Sequence, residues 1–341
     1  MTCPFFGQCG GCVYQDLSPA EYRQLKLNFI TQALKHEGLS FDLDPMIEIG
    51  LHTRRRATFA YSNGHFGFNA AKSHQIVEIT ECATLVPELE NLILPLRALS
   101  AELNCNADIA VLMTAFGADV TIIPEKQPIK RYAKKKARSQ DKDVLFLETV
   151  TNFCTKNHIA RFVFNDNILY QSVQLPFPPN VFMQPSELGE KTLIDLVLQG
   201  CQNAHKVADL FCGLGTFSKP LHAAGKAVKG YDITAPSIAC LQAAGVDAAV
   251  RDLFRQPLLP EELNAFDCVV LDPARAGAAA QVFKIAASDV RQVVMVSCNP
   301  ITFAKDCKIL IDSGFEFEKI TPVDQFTYTQ HIEVVAYLKR K

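Results

Sequence analysis

From about residue 180 onward, short apolar stretches with strand character alternate with helical stretches. Seven strands are predicted there, at residues 206–211, 227–233, 247–252, 266–272, 292–297, 315–323 and 332–339. Because helical stretches connect most of them, the pattern is typical of a doubly wound, mostly parallel sheet that binds its ligand at the strand carboxyl ends. The final pair of strands indicates an antiparallel hairpin at the sheet edge.

The first half of the chain has a different pattern. Alternating apolar residues predict short antiparallel strands at residues 56–61, 65–68, 75–79, 109–113 and 119–123, with helices at 19–36 and 87–103. The Pro-rich segment 176–179 indicates a linker. A chain of 341 residues is expected to form two domains. We therefore predict an α/β protein in which a smaller mixed α+β domain, residues 1–179, precedes a Rossmann-like sheet domain, residues 180–341.

The composition of the chain limits the classes of protein to which it can belong. The chain is 48% hydrophobic and 21% charged, which is typical of a globular protein. Its net charge of −2 gives no global basic field, so any RNA binding must depend on local patches. No run of 18 apolar residues predicts a membrane span, and the first residues lack the pattern of a signal peptide. We therefore expect a cytoplasmic location and no membrane partner.

The cysteines are numerous and unevenly placed. Of the 12 in the chain, Cys3, Cys9 and Cys12 lie within ten residues, in the spacing C-x5-C-x2-C. In the cytoplasm these thiols should be reduced rather than paired as disulfides. With Cys82 as a fourth ligand, they fit either an iron–sulfur cluster or structural zinc, and spacing does not decide between the two. The alternative is that they are small buried core residues.

A candidate cofactor loop, Asp209-Leu-Phe-Cys-Gly-Leu-Gly215, closes the first strand of the predicted sheet. It is not G-x-G-x-x-G, which disfavours a dinucleotide. Asp232, at the end of the second strand, can accept hydrogen bonds from ribose hydroxyls, and Asp252 ends the third strand, where it is placed to meet an adenine edge. An adenosine ligand without a pyrophosphate, such as S-adenosylmethionine, fits best. Either aspartate could instead cap a helix.

Over nearly its whole length the sequence resembles the RNA uracil-C5 methyltransferases, which use S-adenosylmethionine. The blocks that carry the resemblance are Cys3-x5-Cys9-Gly-Gly-Cys12 with Cys82, Phe182-Met-Gln-Pro185, the loop 209–215, Asp272-Pro-Ala-Arg-Ala-Gly277, Ser297-Cys-Asn-Pro300 and His331-Ile-Glu333.

The resemblance implies a role for each block. Cys298 would be the nucleophile and Glu333 the base. The four N-terminal cysteines would bind a [4Fe-4S] cluster. The residues that the resemblance places at the S-adenosylmethionine site are Gln184, Phe211, Cys212, Gly213, Asp232 and Asp272. Asp252 is also expected there, because of its position beside the adenine. The chain begins directly at the cysteine block, without the N-terminal β-barrel of many members, so it looks more like those that modify 23S ribosomal RNA. No obligatory protein partner is implied.

The residue types support this chemistry independently. Uracil C5 is too weak a nucleophile to take a methyl group unaided, but a thiolate that adds to C6 moves negative charge onto C5. Cys298 is expected just before a helix, whose N-terminal dipole should lower the pKa of a thiol from about 8.5. Glu333 lies in an apolar strand, where a carboxylate is costly unless it is paired or functional. Arg275 could pair with Asp272 or a phosphate, and Asn299 could contact the cofactor or cap the helix.

For RNA contact, the basic runs Arg54-Arg-Arg56 and Lys130–Arg138 are candidates, with Phe182 and Phe326 as stacking side chains. One departure from the family is the block Gln325–Thr329, which usually contains a proline and a histidine. Three rival functions remain: a transfer-RNA uracil methyltransferase, an amino-group methyltransferase that would not need Cys298, and a non-catalytic metal-bearing RNA-binding protein.

Overall fold

The computed structural model of the protein describes residues 3–103, 105–125 and 140–340. Its helices are α1 Pro19–His36, α2 Pro87–Glu90, α3 Ile93–Leu103, α4 Gln140–Lys156, α5 Glu187–Gly200, α6 Ser218–Ala223, α7 Ala235–Ala243, α8 Pro260–Leu263, α9 Ala279–Ala286 and α10 Pro300–Asp312. Its strands are β1 Ile47–Glu48, β2 Arg56–Ser62, β3 His65–Asn69, β4 Ile76–Val77, β5 Ala107–Thr114, β6 Gly117–Pro124, β7 Ile159–Phe164, β8 Asn167–Gln171, β9 Lys206–Leu210, β10 Ala227–Asp232, β11 Asp247–Val250, β12 Cys268–Leu271, β13 Gln292–Ser297, β14 Phe315–Asp324 and β15 Glu333–Arg340.

The chain forms two compact units, and one of them is discontinuous in sequence. The first unit comprises Met1–Gln15 and Leu51–Asn180, and the second comprises Asp16–Gly50 and Val181–Lys341. A division close to residue 180 agrees with the Pro-rich linker. The segment Asp16–Gly50, however, belongs with the second unit, whereas the sequence placed it in an N-terminal domain of residues 1–179. The iron–sulfur and RNA-binding roles assigned to that domain stay predictions.

The second unit is built on an eight-stranded sheet in the order β1-β14-β15-β13-β12-β9-β10-β11. Strands β9 to β13 are parallel, and β15 runs antiparallel between β13 and β14. Successive residues such as Val269 and Val270 enter separate core clusters, as expected where helices cover both faces. The predicted doubly wound sheet is confirmed. The terminal pair is antiparallel but not at the edge, because the two-residue strand β1 pairs parallel with β14.

Helix α1 explains why Asp16–Gly50 joins this unit. The helix begins after Ser18, whose Oγ accepts a hydrogen bond from the Glu21 backbone N–H at 3.3 Å, while the Glu21 carboxylate accepts one from the Ser18 N–H at 3.0 Å. Its buried residues recur every fourth position, at Tyr22, Lys26, Ile30 and Leu34. Ile30 and Leu34 belong to a core cluster that also contains residues of β14 and α10, so the apolar stripe is satisfied within the second unit.

The first unit contains a seven-stranded sheet in the order β4-β3-β2-β5-β6-β7-β8. All five strands predicted for this part are present, and the helix predicted at 87–103 is divided into α2 and α3. Strands β7 and β8 were not predicted. Strand β7 pairs parallel with β6, and α4 lies between them in sequence as a crossover. Within the described residues, no helix is long and apolar enough to cross a membrane.

Candidate active site

Four polar side chains lie at one edge of the second unit's sheet. Asp232 ends β10, Asp272 directly follows β12, and Cys298 directly follows β13. Because these strands run parallel, their carboxyl ends meet at the same edge. Glu333 begins β15, which runs the opposite way, and the next residue, Val334, pairs with Ser297 at the end of β13. The reversed strand therefore brings its first residue to the edge where its neighbours end.

The loop that carries Cys298 is fixed by the residue that follows it. The Asn299 side-chain carbonyl accepts a hydrogen bond from the Ile301 N–H at 3.1 Å and so caps α10. Its Nδ2 donates to the Arg275 carbonyl at 2.8 Å. Of the two roles predicted for Asn299, the structure supports capping, and the same side chain ties the Cys298 loop to the loop after Asp272.

The loop after Asp272 is also fixed by α10. Thr302 Oγ1 donates to the Arg275 carbonyl at 3.3 Å, and the Ala278 N–H donates to Asp306 Oδ2 at 2.8 Å. Gly277 has φ of +77°, and a Cβ there would lie 2.9 Å from Asp306 Oδ2, so only glycine fits this approach. The Arg275 side chain is exposed and makes no hydrogen bond or ion pair with any residue that the structure describes, so the predicted pairing with Asp272 is not observed.

At this edge Asp209 and Glu333 are buried and Asp272 is half-buried, without a matching cation among the described residues. Burial raises the pKa of Glu333 to about 7, opposed by a hydrogen bond from Gln325. Burial, then the charges of Glu333 and Asp209, hold the pKa of Asp272 well above its usual range. Burial also raises the pKa of Asp209 to about 7, although the Ser218 hydroxyl donates to it. Each group would be stabilised in its charged form by a positive ligand.

The expectation of a low thiol pKa at Cys298 is wrong for the ligand-free protein. Burial is the largest cause, and the nearby charges of Glu333 and Asp272 add to it, so that the pKa of the thiol rises to about 11. The Arg275 charge and a backbone hydrogen bond act in the opposite direction but do not compensate. Burial together with the two carboxylates therefore sets the thiol pKa at this position.

A buried glutamine joins the predicted base to a predicted cofactor residue. Gln325 Nε2 donates to Glu333 Oε1 at 3.1 Å and to Gln184 Oε1 at 3.0 Å. All three side chains are at most 5% exposed. The block that contains Gln325 departs from the family pattern, but no role was predicted for Gln325. Its two partners, Gln184 and Glu333, lie 141 and 8 positions away in sequence.

The predicted cofactor loop adopts an unusual backbone conformation. Phe211 has φ of +64°, a region that costs a non-glycine residue energy, and its ring packs against Phe254 with centroids 5.2 Å apart. The Gly213 N–H donates to Asp232 Oδ2 at 3.0 Å, and the Thr234 N–H donates to Asp232 Oδ1 at 2.8 Å. The Cys212 side chain is buried, so a ligand at this loop would meet its backbone rather than its thiol.

Asp252 and its neighbour have local partners. The Asp252 carboxylate accepts hydrogen bonds from the backbone N–H groups of Phe254 and Arg255, at 3.1 and 3.2 Å. The Arg251 guanidinium forms a bidentate pair with the Glu262 carboxylate, at 2.6 and 2.9 Å. These bonds close a turn rather than cap a helix, since the next helix begins only at Pro260, and the predicted contact of Asp252 with an adenine stays a prediction.

A second buried group was not predicted as part of the site. Lys26 Nζ on α1 donates to Asp324 Oδ1 at 2.7 Å and to the backbone carbonyls of Phe326 and His331. The Tyr22 hydroxyl donates to Asp324 Oδ2 and accepts from the Tyr328 N–H at 2.8 Å. These bonds fix both ends of the loop between β14 and β15, from which Glu333 follows. In the sequence, this buried group is indicated by a lysine within the apolar stripe of α1.

The four predicted metal ligands all lie in the first unit. The thiols are close enough that the charges of Cys82 and Cys3 add to burial in raising the pKa of Cys9, and the pKa of Cys12 rises to about 11. The Gly11 N–H donates to Cys9 Sγ at 3.4 Å. Across residues 3–103, 105–125 and 140–340, no group of three or more His, Cys, Asp or Glu side chains is placed to hold a metal ion. The metal centre therefore stays a prediction.

The side chains predicted to contact RNA differ in how exposed they are. Burial lowers the pKa of Arg54, and its Nε donates to the Arg56 carbonyl at 2.9 Å, so this guanidinium is not a fully solvated surface charge. Phe182 is 63% exposed, whereas Phe326 is half-buried with its ring 5.7 Å from that of His331. The dense basic run from Lys130 to Arg138 lies outside the described residues.

Comparison with known proteins identifies the family. A model described as tRNA (Uracil-5-)-methyltransferase matches residues 247–341. An uncharacterized RNA methyltransferase of Brucella suis is 35% identical over 99% of this chain and 84% of its own length. The 23S rRNA (uracil(1939)-C(5))-methyltransferase RlmD of Erwinia tasmaniensis is 30% identical over 99% of this chain and 82% of its own.

This chain belongs to the RNA uracil-C5 methyltransferase family. It is therefore an S-adenosylmethionine-dependent RNA methyltransferase. A solved tRNA (uracil-54, C5)-methyltransferase of Pyrococcus abyssi, in complex with S-adenosyl-L-homocysteine, covers 99% of this chain and 87% of its own, with a TM-score of 0.71 at 21% identity. That likeness confirms the fold.

The residues at the sheet edge fit S-adenosylmethionine. Its methyl group is carried on a sulfonium cation, and the edge collects buried acids. Asp209 Oδ1 is buried and has no hydrogen-bond partner among the described residues, which indicates a site for a donor or a positive charge. At Gly213 a Cβ would meet nothing within 4 Å, so the loop leaves open space at the place predicted for the ligand.

Proposed function

We propose that this methyltransferase modifies C5 of a uridine in 23S ribosomal RNA, with Cys298 as nucleophile and Glu333 as base. The observation that carries the proposal is that a thiol and a buried glutamate share the carboxyl edge of the sheet, close enough that the glutamate's charge raises the pKa of the thiol. The 30% identity to RlmD supports ribosomal rather than transfer RNA.

Each chain residue has a defined task in this reaction. The Cys298 thiolate adds to C6 of the flat base, so that negative charge develops on C5. S-adenosylmethionine, when bound, supplies the methyl group that C5 accepts. The Glu333 carboxylate then removes the C5 proton, and the bond between Cys298 and C6 breaks as the ring regains its double bond. With a pKa of about 7, Glu333 is poised to take and release a proton near neutral pH.

The residues that would hold the methyl donor lie around the same edge. The backbone of Phe211, Cys212 and Gly213 would follow the ligand, and Asp232 would accept hydrogen bonds from the ribose hydroxyls. Gln184 and Asp272 would face the reacting end. The half-buried carboxylate of Asp272 would stabilise the positive sulfonium.

The experiment that tests this proposal separates the two catalytic roles. Cys298→Ala should abolish both methylation and any covalent adduct with RNA. Glu333→Gln should transfer the methyl group but retain the methylated RNA as an adduct, because the C5 proton stays in place. Denaturing electrophoresis with a labelled methyl donor distinguishes the two, and Cys240→Ala, a half-buried cysteine outside the proposed site, is the matched control.

The outcomes also discriminate between the rival functions. Full turnover by Cys298→Ala would contradict the mechanism and favour an amino-group target. Methylation of transfer RNA but not of 23S RNA, mapped by mass spectrometry of RNA from cells with and without the protein, would retain the chemistry and reject the proposed substrate. A protein that binds RNA but never methylates it would support the binding role alone.

We further propose that Cys3, Cys9, Cys12 and Cys82 bind a [4Fe-4S] cluster. Their shared unit, the mutual effects on thiol pKa values and the Gly11 N–H donated to Cys9 Sγ support it, since thiolate clusters accept such hydrogen bonds. Anaerobically purified protein should contain iron and absorb in the visible range. Cys82→Ala should release the iron and Cys105→Ala should not. Stoichiometric zinc without iron would contradict the cluster.

A further inference from the structure

The side-chain amide of Gln325 lies between two oxygen atoms of the active-site edge. Its nitrogen carries two hydrogens, and each has one acceptor: Glu333 Oε1 at 3.1 Å and Gln184 Oε1 at 3.0 Å. The reversed amide would place an oxygen at the same distances from two oxygens, which is repulsive. The two acceptors therefore fix the orientation of the amide.

The other end of this amide shows that stability alone does not explain the residue. Gln325 Oε1 is buried and has no hydrogen-bond partner in the described part of the chain, a condition that costs folding free energy. Gly189 in α5 makes the room for it, since a Cβ there would lie 2.6 Å from Gln325 Oε1 and 3.0 Å from Gln325 Cβ. Buried polar atoms that lack partners call for an explanation, and functional need is one.

We propose that Gln325 is a positioning residue that holds the Glu333 carboxylate and the Gln184 side-chain carbonyl in a fixed relation, and so links the base to the methyl-donor site. This inference rests on the proposed function, in which Glu333 removes the C5 proton and Gln184 faces the methyl donor. Gln325 itself touches no reacting atom. It acts through the two side chains to which it donates.

The hydrogen bond from Gln325 also favours the ionised form of Glu333. The titratable groups that face this carboxylate are Asp272, after β12, and Cys298, after β13, and the charge of Glu333 raises the pKa of both. The Gln325 amide lowers the pKa of Glu333, which burial raises. Without the amide, Glu333 should bind its proton more tightly, so the base should become active only at higher pH.

The test is the pH dependence of adduct release in Gln325→Met, which keeps the side chain's length and removes both donors. Loss of a hydrogen bond to a charged acceptor should raise the pH midpoint of release by about one unit. Release at about pH 6 then slows about ten-fold, while release at about pH 9 is unchanged. Affinity for S-adenosylhomocysteine, measured by calorimetry, should fall several-fold as Gln184 loses the hydrogen bond from Gln325.

The matched control is Gln281→Met. Gln281 is equally buried, and its amide accepts from the Leu258 N–H at 2.8 Å and donates to the Leu258 carbonyl at 3.3 Å, away from the proposed site residues. It should lose comparable stability and leave the pH midpoint unchanged. An unchanged midpoint in folded Gln325→Met would overturn the inference.

A second variant changes a residue of α5 that contacts the same amide. Gly189→Ala should displace Gln325 and shift the midpoint in the same direction, and it provides the test if Gln325→Met does not fold. Glu333→Gln, measured in parallel, distinguishes the two proposals. If Glu333→Gln turns over fully, the proposed function fails. If it retains the adduct while both Gln325→Met and Gly189→Ala keep the native midpoint, only the positioning role fails.

Discussion

The second unit contains two groups of buried ionisable side chains that differ in charge balance. One group pairs the Lys26 ammonium with the Asp324 carboxylate, and both side chains are at most 2% exposed. The other contains Asp209, Asp272 and Glu333, whose pKa values burial raises. The first group carries its counter-charge within the chain. The second lacks one, and a positive ligand would supply it.

The difference separates a structural role from a functional one. A buried charge with its partner in place fixes the geometry of what it touches, and in this protein that is the loop between β14 and β15. Buried acids without a cationic partner store unfavourable energy that a cationic ligand can release on binding. The same substitution, carboxylate to amide, should therefore have opposite effects on stability in the two groups.

The largest effect is expected from Lys26→Met. Removing the ammonium leaves the Asp324 carboxylate and two backbone carbonyls buried without their donor, so the free energy of unfolding should fall by about 3–5 kcal/mol in urea denaturation. Lys308→Met is the control, because Lys308 pairs with Asp312 on the surface of α10 and should cost about 0.5 kcal/mol or less. Equal losses in the two variants would remove the distinction between the groups.

A smaller effect of opposite sign is expected from Glu333→Gln in the ligand-free protein. Burial holds the pKa of Glu333 at about 7, above its ordinary 4.5. Between these two pH values the unfolded chain releases a proton that the folded chain retains, so stability falls as pH rises and stays low above about 7. At about pH 8 the variant should therefore be more stable than the native protein by about 2–3 kcal/mol, and at about pH 4 equally stable.

Asp324→Asn provides the comparison for that measurement, because it should destabilise the protein at pH 8 by removing the partner of Lys26. Glu318→Gln, a partly exposed position, should change little at either pH. If Glu333→Gln and Asp324→Asn shift the urea midpoint in the same direction, the group at the sheet edge is not under electrostatic strain.

The smallest effect concerns the Cys298 thiol, whose pKa is about 11 in the absence of ligand. A sulfonium beside Glu333 and Asp272 should lower that pKa by about one unit, whereas the neutral thioether of S-adenosylhomocysteine should not. The rate of alkylation of the Cys298 peptide, followed by mass spectrometry across pH with each ligand, measures this. Equal midpoints with both ligands would show that the sulfonium charge does not reach the thiol.

Local signals explain which parts of the fold were predictable. The bounds of α1 follow from the Ser18–Glu21 capping box, and the sheet strands of the second unit follow from their apolar runs. Strand β1 has only two residues, and its pairing with β14 depends on contacts far away in sequence. Strands β7 and β8 were not predicted, and neither shows alternating burial: five consecutive residues of β7 are buried and none of β8.

The candidate site likewise contains residues that could be predicted from the sequence and residues that could not. Cys298 and Glu333 could be predicted because each stands in a recognisable block at a strand end, and the structure does place both at one sheet edge. The thiol pKa could not be predicted, since it depends on burial and on charges at the ends of two other strands, β12 and β15. Lys26 and Gln325 were missed as site residues because what they do is defined only by partners brought together in the folded second unit.

The distance in sequence between Lys26 and Asp324 has a consequence for biosynthesis. The two residues are 298 positions apart, and at about 5–20 residues per second a ribosome needs about 15–60 s to synthesise what lies between them. Throughout that interval the apolar stripe of α1 lacks the strand against which it packs, and the first unit is synthesised in full before that strand. For most of translation, the buried face of α1 is therefore without the residues that cover it in the folded protein.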